Sequence, residues 1–128
     1  MFQKEHWKEH LNATEKYCLT HPFRQWASSV ISTHKRSGYL INVTLDEMEQ
    51  LSKETTHCPL CGVELDYRRL TKKGKSQMNS PSLDRINNDK NLSTHNTWII
   101  CKECNTTKGS KTLKEFIAYC KMIGAKYV

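Results

Sequence analysis

Apolar residues recur at helical spacing through the first half of the chain. Residues 2–17 are polar with loosely spaced apolar side chains and predict a first helix. Pro22 suits the first turn of a second helix, which we expect to end at Gly38. The sequence Thr44-Leu45-Asp46-Glu47 has the pattern of a capping box, so a third helix is predicted from there to about Thr55. The apolar stripe of the second helix consists of Phe23, Trp26, Val30 and Ile31.

The second half of the chain has short β-rich segments between polar stretches. Residues 82–86 and 97–100 are predicted strands, and the second of these is rich in β-branched and aromatic residues. The residues between them, 87–95, are predicted to form a loop. We expect a short helix from about Glu103 to Gly109 and a last helix from the capping box at Thr112 to Gly124. The pattern predicts an α+β fold. The residues expected to face inward from the last helix are Leu113, Phe116, Ile117 and Cys120.

Two Cys-x-x-Cys pairs, Cys58–Cys61 and Cys101–Cys104, are the strongest chemical signal in the chain. Four thiolates suit one tetrahedral, structural Zn²⁺. Six cysteines are also compatible with disulfides in a secreted protein, but residues 1–6 lack the apolar run of a signal peptide. We therefore favour zinc in a reducing, cytoplasmic compartment. The other two cysteines, Cys18 and Cys120, are expected to be buried free thiols.

Positive charge is concentrated around the second cysteine pair. The formal net charge is +7, and residues 67–111 contain ten Lys or Arg against three Asp or Glu, which accounts for the whole excess. Apolar residues make up only 37% of the chain, which is low for a self-sufficient core, so a structural metal would help folding. No stretch is long and apolar enough to cross a membrane. The charge favours a polyanionic partner and, among these, nucleic acid, although a solvated basic surface is the simpler alternative.

The segment SPSLDRINNDKNLSTHNTWIICKECNTTKGSKTLKEF, with CPLCG upstream, resembles the HNH, or ββα-metal, endonucleases. The similarity covers residues 58–117, nearly half of the chain. It implies a zinc-stapled ββα-metal core at 57–128, preceded by an N-terminal helical extension at 1–56. The extension also looks like that of phage-encoded and restriction-type members, which implies a bacterial or phage-infected host cell.

The resemblance implies roles for individual residues. Asp84-Arg85 falls where the family has an Asp-His pair at the end of its first strand. Asn96 matches the central Asn, expected to orient a loop or the attacking water, and Asn105 matches the residue that opens the helix after the second Cys pair. Asp84 and Asn105 would then hold a catalytic Mg²⁺ or Mn²⁺, since oxygen donors suit hard cations. The alternative to these catalytic roles is a purely structural one, in which the three residues cap helices or form turns.

Arg85 departs from the family, which places its general-base His at this position. Arginine stays protonated and cannot accept a proton from water, but it can clamp a phosphate oxygen. Some restriction enzymes of this fold also carry Asp-Arg here, which implies that another group supplies the base. The candidates are His34, Tyr39, Tyr67 and His95, or the metal-bound water needs no protein base.

The sequence therefore predicts a DNA endonuclease that acts on double-stranded DNA with a divalent metal. Arg85, Lys102, Lys108 and Lys111 are expected to contact the phosphate backbone. One chain supplies one active site, so cutting both strands would need a homodimer or two events. The main alternative is a zinc module that binds nucleic acid without cleaving it, the change to Arg85 having removed activity. A structural zinc protein that binds another protein is a third.

Overall fold

The computed structural model describes residues 11–68, 77–87 and 91–127, which form a mixed α+β fold. The predicted fold class is therefore confirmed at this level. Within the described residues the elements, in chain order, are α1 (Ala13–Thr20), α2 (Pro22–Arg36), β1 (Ile41–Asn42), α3 (Leu45–Glu54), β2 (Pro81–Arg85), β3 (Leu92–Ser93), β4 (Thr97–Cys101), α4 (Lys102–Lys108) and α5 (Leu113–Tyr127).

Local capping signals determine where the N-terminal helices begin. The Thr44 hydroxyl accepts a hydrogen bond from the Glu47 amide at 3.1 Å, and the Glu47 carboxylate accepts from the Thr44 amide at 2.8 Å, so the predicted capping box starts α3. Pro22 is the first residue of α2, as predicted. Within the described residues the first helix begins at Ala13, where Asn12 and Glu15 form a capping box. Residues 2–10 of the predicted first helix lie outside the described residues.

An antiparallel hairpin of β2 and β4 forms the centre of the C-terminal half. Its register pairs Asp84 with Trp98 and Ser82 with Ile100, so these four side chains share one face. The intervening residue Leu83 is on the opposite face. Both predicted strands are thus present, and β4 runs directly into α4.

The segment 87–95 was predicted as a loop, but it contains β3, which pairs in parallel with β1 through Ile41 and Leu92. This prediction was wrong at Leu92 and Ser93. Two residues carry no periodicity of their own, so only the distant partner strand reveals the pairing.

One apolar core extends across the chain from α2 to β4. It includes Ala27 of α2 and Met48 of α3, which are fully buried, together with Leu83 and Ile99 of the hairpin. The indole nitrogen of Trp26 also donates to the Pro81 carbonyl at 3.2 Å. Residues from both sides of position 56 therefore share a core, while the division into two regions at that position stays a prediction.

The last helix differs from its prediction in length and packing. Helix α5 continues past Gly124 to Tyr127, because Gly124 keeps helical backbone angles instead of the left-handed conformation that ends many helices. Phe116 is its one buried residue, whereas Ile117 is 41% exposed and Cys120 is also exposed. The predicted inward orientation of Ile117 and Cys120 was wrong. Within the described ranges, no helix has both the length and the apolar character needed to cross a bilayer.

Candidate functional site

The first cysteine pair lies on a tight hairpin turn. The Cys58 amide donates to the Val63 carbonyl and the Gly62 amide to the Cys58 carbonyl, both at 2.8 Å, and His57 bridges to Glu64. Gly62 has φ +82°, a left-handed angle that favours glycine. The turn brings the Cys58 and Cys61 sulfurs to one side.

The second cysteine pair lies at the junction of β4 and α4. Cys101 is both the last residue of β4 and the N-cap of α4, where its sulfur accepts a hydrogen bond from the Cys104 amide at 3.4 Å. The Lys102 amide donates to the Ser80 carbonyl at 2.8 Å and the Glu103 amide to the Met78 carbonyl at 3.2 Å. The start of α4 is therefore held against the residues that lead into β2.

The two pairs meet in one cluster of four sulfurs. The Sγ atoms of Cys58, Cys61, Cys101 and Cys104 all lie within 4.8 Å of one another, and Cys61 is 3.6 Å from Cys101. In a tetrahedral site with Zn–S bonds of about 2.3 Å, sulfurs are about 3.8 Å apart. The cluster thus has the dimensions and the donor type of a structural zinc site, as the sequence predicts.

The sulfurs differ in how readily they ionise. Burial opposes ionisation of Cys58, but backbone amides of Cys101, Cys61 and Leu60 donate to its sulfur and lower its pKa to about 7. Burial raises the pKa of both Cys101 and Cys104, and neighbouring thiols raise that of Cys104 further. Four thiolates at this spacing repel one another, so they require a cation to coexist.

Asp84 lies on the face of β2 that is covered by α4. It is 6% exposed, and its Oδ2 accepts a hydrogen bond from the indole nitrogen of Trp98 at 2.7 Å. The ammonium of Lys108 lies 3.1 Å from Oδ2 and 3.3 Å from Oδ1. Lys108 itself is 1% exposed, so the two side chains form a buried ion pair.

Asn105 lies one helical turn before Lys108 and reaches the same face of β2. Its Nδ2 donates to the Ser82 hydroxyl at 2.6 Å. Ser82 and Asp84 are two residues apart on one strand, so their side chains point the same way. The structure therefore brings Asp84 and Asn105 to a common face of the hairpin, with the Asn105 carbonyl oxygen still able to accept or to bind a cation.

Arg85 belongs to a second group of side chains. It follows Asp84 on β2 and so points to the opposite face, where its Nη2 donates to the Tyr39 hydroxyl oxygen at 2.7 Å. Its guanidinium carbon lies 3.9 Å from the Tyr39 ring centroid. The His34 ring centroid is 5.7 Å from that of Tyr39, and His34 Nδ1 is 2.8 Å from the Val30 carbonyl oxygen. A carbonyl can only accept, so Nδ1 carries the proton and a neutral His34 has its lone pair on Nε2.

Asn96 fixes the loop between β2 and β4. Its Oδ1 accepts from the Asn87 amide at 2.9 Å, and its Nδ2 donates to the carbonyls of Asn87 and Asn91 at 3.0 and 3.1 Å. This side chain is 8% exposed and is occupied with backbone groups, which fits the loop-orienting role and leaves the water-orienting role without support. His95, beside it in the turn, is exposed.

The remaining predicted residues are three lysines and Tyr67, and the placement of Lys108 differs from expectation. Lys108 was expected along the DNA backbone, but its ammonium is buried against Asp84, whereas Lys111 is exposed with its ammonium 5.3 Å from the Tyr119 ring centroid. Lys102 is half-buried at the start of α4. Tyr67 is a poor base candidate, because its hydroxyl donates to the Thr55 carbonyl at 2.8 Å and burial raises its pKa.

The sequence analysis did not predict that Trp98 contacts Asp84 or that Ser82 contacts Asn105. Trp98 is the cross-strand partner of Asp84, and Ser82 receives Asn105. Trp98 had a usable signal, because an antiparallel hairpin of 82–86 and 97–100 places these residues opposite one another once the register is known. The spacing of Asn105 and Lys108 likewise puts both on one face of a helix.

Comparisons of the chain with protein-family models, with characterised proteins and with solved structures found no match. Function is therefore inferred from the residues and their geometry.

Replacing one cluster cysteine should unfold the C-terminal half, because zinc binding here is coupled to folding. We expect Cys101→Ser to lose zinc and the cooperative thermal transition of the wild type. Cys120→Ser is the matched control, since Cys120 is exposed and outside the cluster, and it should retain one zinc per chain. A well-folded Cys101→Ser protein without zinc, by metal analysis and circular dichroism, would contradict a structural role.

Zinc affinity should rise steeply with pH. The pKa values of Cys101 and Cys104 lie above the ordinary thiol range, so both are protonated at pH 7 and must release their protons on binding. Acidification returns protons to the sulfurs and weakens binding. Competition with a chelator between pH 6 and 8 should show the zinc association constant rising at least about a hundredfold per pH unit, two protons being released. A flat profile would show that zinc binds elsewhere.

Proposed function

We propose that this protein is a DNA endonuclease of the HNH, or ββα-metal, type, which hydrolyses phosphodiester bonds with the help of a divalent cation. One observation carries the proposal. An antiparallel β2–β4 hairpin leads directly into α4, and Asp84 and Asn105 lie on the face that these elements share. The four-cysteine cluster sits at the strand–helix junction and holds that arrangement.

Asp84 and Asn105 are the proposed ligands of Mg²⁺ or Mn²⁺, which would stabilise charge on the phosphate and on the leaving oxygen. A buried carboxylate requires a compensating cation. In the structure the Lys108 ammonium lies against both Asp84 oxygens, so a divalent ion would have to share the carboxylate with it. Asn105 fits as a neutral oxygen donor, since its Nδ2 is directed at Ser82.

Arg85 is the proposed phosphate clamp. Stacking on Tyr39 and the hydrogen bond to its hydroxyl fix the plane of the guanidinium, which lowers the entropy lost when it binds a phosphate. The Tyr39 hydroxyl accepts from Arg85, so its own O–H can donate to a second phosphate oxygen. Tyr39 is exposed and Arg85 is half-buried, so a DNA strand can reach both side chains.

His34 is the best candidate for the general base among the residues considered from the sequence. With Nδ1 donating to the Val30 carbonyl, the Nε2 lone pair is left to accept a proton. His34 is half-buried in α2 beside Tyr39, so it belongs to the same group as the proposed clamp. His95 has exposure in its favour but no described contact with either group of site residues.

The second candidate function is a zinc module that binds nucleic acid without cleaving it. The buried Asp84–Lys108 pair favours it, because both carboxylate oxygens already have partners and the carboxylate is 6% exposed. Under this alternative Lys108 permanently replaces a metal ion. The two functions predict the same DNA affinity and differ only in cleavage.

Asp84→Asn should abolish cleavage of a duplex oligonucleotide in Mg²⁺ while DNA binding stays within about twofold. Losing the carboxylate removes the ligand for the cation that offsets transition-state charge, worth several kcal/mol of barrier. The amide is isosteric and can still accept from Trp98, but the buried Lys108 ammonium loses its counter-charge, so zinc content and thermal melting must show that the variant is folded. Asp46→Asn, an exposed acid of α3, is the control and should cleave normally. Undiminished cleavage by Asp84→Asn would refute the assignment of this site.

Arg85→Ala and Arg85→His separate two interpretations of the departure from the family. A working clamp predicts that both substitutions impair cleavage, because each loses the planar pair of N–H donors. A degenerate base position predicts that Arg85→His gains activity. We expect loss in both, by roughly 10²-fold or more for Ala, as found for removal of a single donor to a transition-state oxyanion. Rates are measured under single-turnover conditions.

DNA affinity should fall steeply with salt, because backbone contacts release counterions. Lys102→Ala and Lys111→Ala should each weaken binding to all sequences alike and reduce the slope of log K against log salt by about one. Lys114→Ala, on the exposed surface of α5, serves as a charge-matched comparison. A slope near zero for the wild type would argue against any phosphate-binding face.

A further inference from the structure

The Asp84–Lys108 ion pair is the most buried of those formed by the described residues. The side chains are 6% and 1% exposed, whereas the Arg24 pairs with Asp46 and Glu49 join side chains that are 19% to 86% exposed. Such a pair is poorly explained by stability, since desolvating two charges costs about as much as their attraction returns. Its position on the face shared by β2 and α4 suggests a role in the site itself.

The ammonium occupies a particular place on the carboxylate. Its distances of 3.1 Å to Oδ2 and 3.3 Å to Oδ1 put Nζ nearly midway between the two oxygens. Trp98 donates to Oδ2 at 2.7 Å and takes another lone pair. A carboxylate has about four lone-pair positions. Lys108 takes one on each oxygen and Trp98 takes the second on Oδ2, so the remaining lone pair is on Oδ1.

A divalent cation would have to share that carboxylate. Mg²⁺ binds oxygen at about 2.1 Å, so an ion on either Asp84 oxygen would lie close to an ammonium that touches both of them. The two cations would repel each other in a site with little water to screen them. Either the lysine side chain moves away or the divalent ion binds weakly.

We infer that Lys108 is the resident cation of Asp84 and competes with the divalent ion for it. This inference rests on the proposed function, because it assigns Lys108 a role at the same site. Lys108 then neutralises the buried carboxylate before metal binds and lowers the metal affinity of the free protein. The expected role along the DNA backbone is replaced by one at the carboxylate.

The test is Mn²⁺ binding to the zinc-loaded protein, measured from the electron paramagnetic resonance signal of free Mn²⁺. We expect Lys108→Met to bind Mn²⁺ at least tenfold more tightly than the wild type. The double variant Asp84→Asn/Lys108→Met should lose this gain, because the gain acts through the carboxylate. Lys114→Met, which removes an exposed lysine, should leave the Mn²⁺ affinity unchanged.

Affinity in Lys108→Met that is equal to or weaker than that of the wild type would overturn the inference. So would a gain that persists in the double variant. Zinc content and thermal melting establish that each variant is folded, and Lys108→Gln, which keeps a hydrogen-bond donor, carries the same prediction if Lys108→Met fails to fold. Cleavage assays report separately. If the wild-type protein cleaves DNA but Lys108→Met binds Mn²⁺ no more tightly than the wild type, this inference alone is rejected. If Lys108→Met binds Mn²⁺ more tightly but the wild-type protein does not cleave DNA, the proposed function alone is rejected.

Discussion

The four-sulfur cluster is the constraint on which the C-terminal half depends. It joins the hairpin turn at 57–64 to the junction of β4 and α4, and Cys61 and Cys101 are 40 positions apart in the sequence. The apolar core is small for the chain, since only 37% of the residues are apolar. A zinc ion bound by the four sulfurs would crosslink these distant segments and supply folding free energy that such a core cannot. It would also fix the angle at which α4 leaves the hairpin, and hence the positions of Asn105 and Lys108 over β2.

The candidate site breaks the usual rules of a small core in one place. A carboxylate and an ammonium are buried together where apolar side chains of similar volume would serve stability equally well. Asp84 is held by Trp98 across the hairpin and by Lys108 from α4, so removing any one of the three changes the other two. Residues that break such rules are expected at functional sites, and Asp84 is the residue on which the proposed chemistry depends.

Local signals in the sequence predicted much of this architecture. The capping box at Thr44, the proline at the start of α2 and the two Cys-x-x-Cys pairs each act over a few residues, and the structure contains each of them. Non-local features were not predictable in the same way. The pairing of β1 with β3 and the burial of Lys108 depend on segments that meet only in the fold. The prediction that α5 ends at Gly124 was wrong, because a glycine favours the end of a helix where its backbone is left-handed and Gly124 has no positive φ.

The contact between Arg85 and Tyr39 was predictable only in part, because Tyr39 was a candidate site residue but its pairing with Arg85 is non-local. Tyr39 and His34 were predicted candidates for the general base. In the structure the Tyr39 ring lies against the Arg85 guanidinium, and the His34 ring lies beside the Tyr39 ring. Nothing in the residue pattern near position 85 indicates a tyrosine 46 positions earlier. The candidate site thus combines a hairpin and a helix that local patterns predict with Tyr39 and His34, which the N-terminal region places beside Arg85.

Phosphodiester hydrolysis by the wild-type, zinc-loaded protein is the central claim, and relaxation of supercoiled plasmid DNA measures it most directly. We expect conversion to nicked circles in Mg²⁺ or Mn²⁺, and none when EDTA removes the divalent ion while metal analysis shows that zinc is retained. Intact supercoiled plasmid in every metal, under conditions where a mobility shift shows that the protein is bound, would contradict the account.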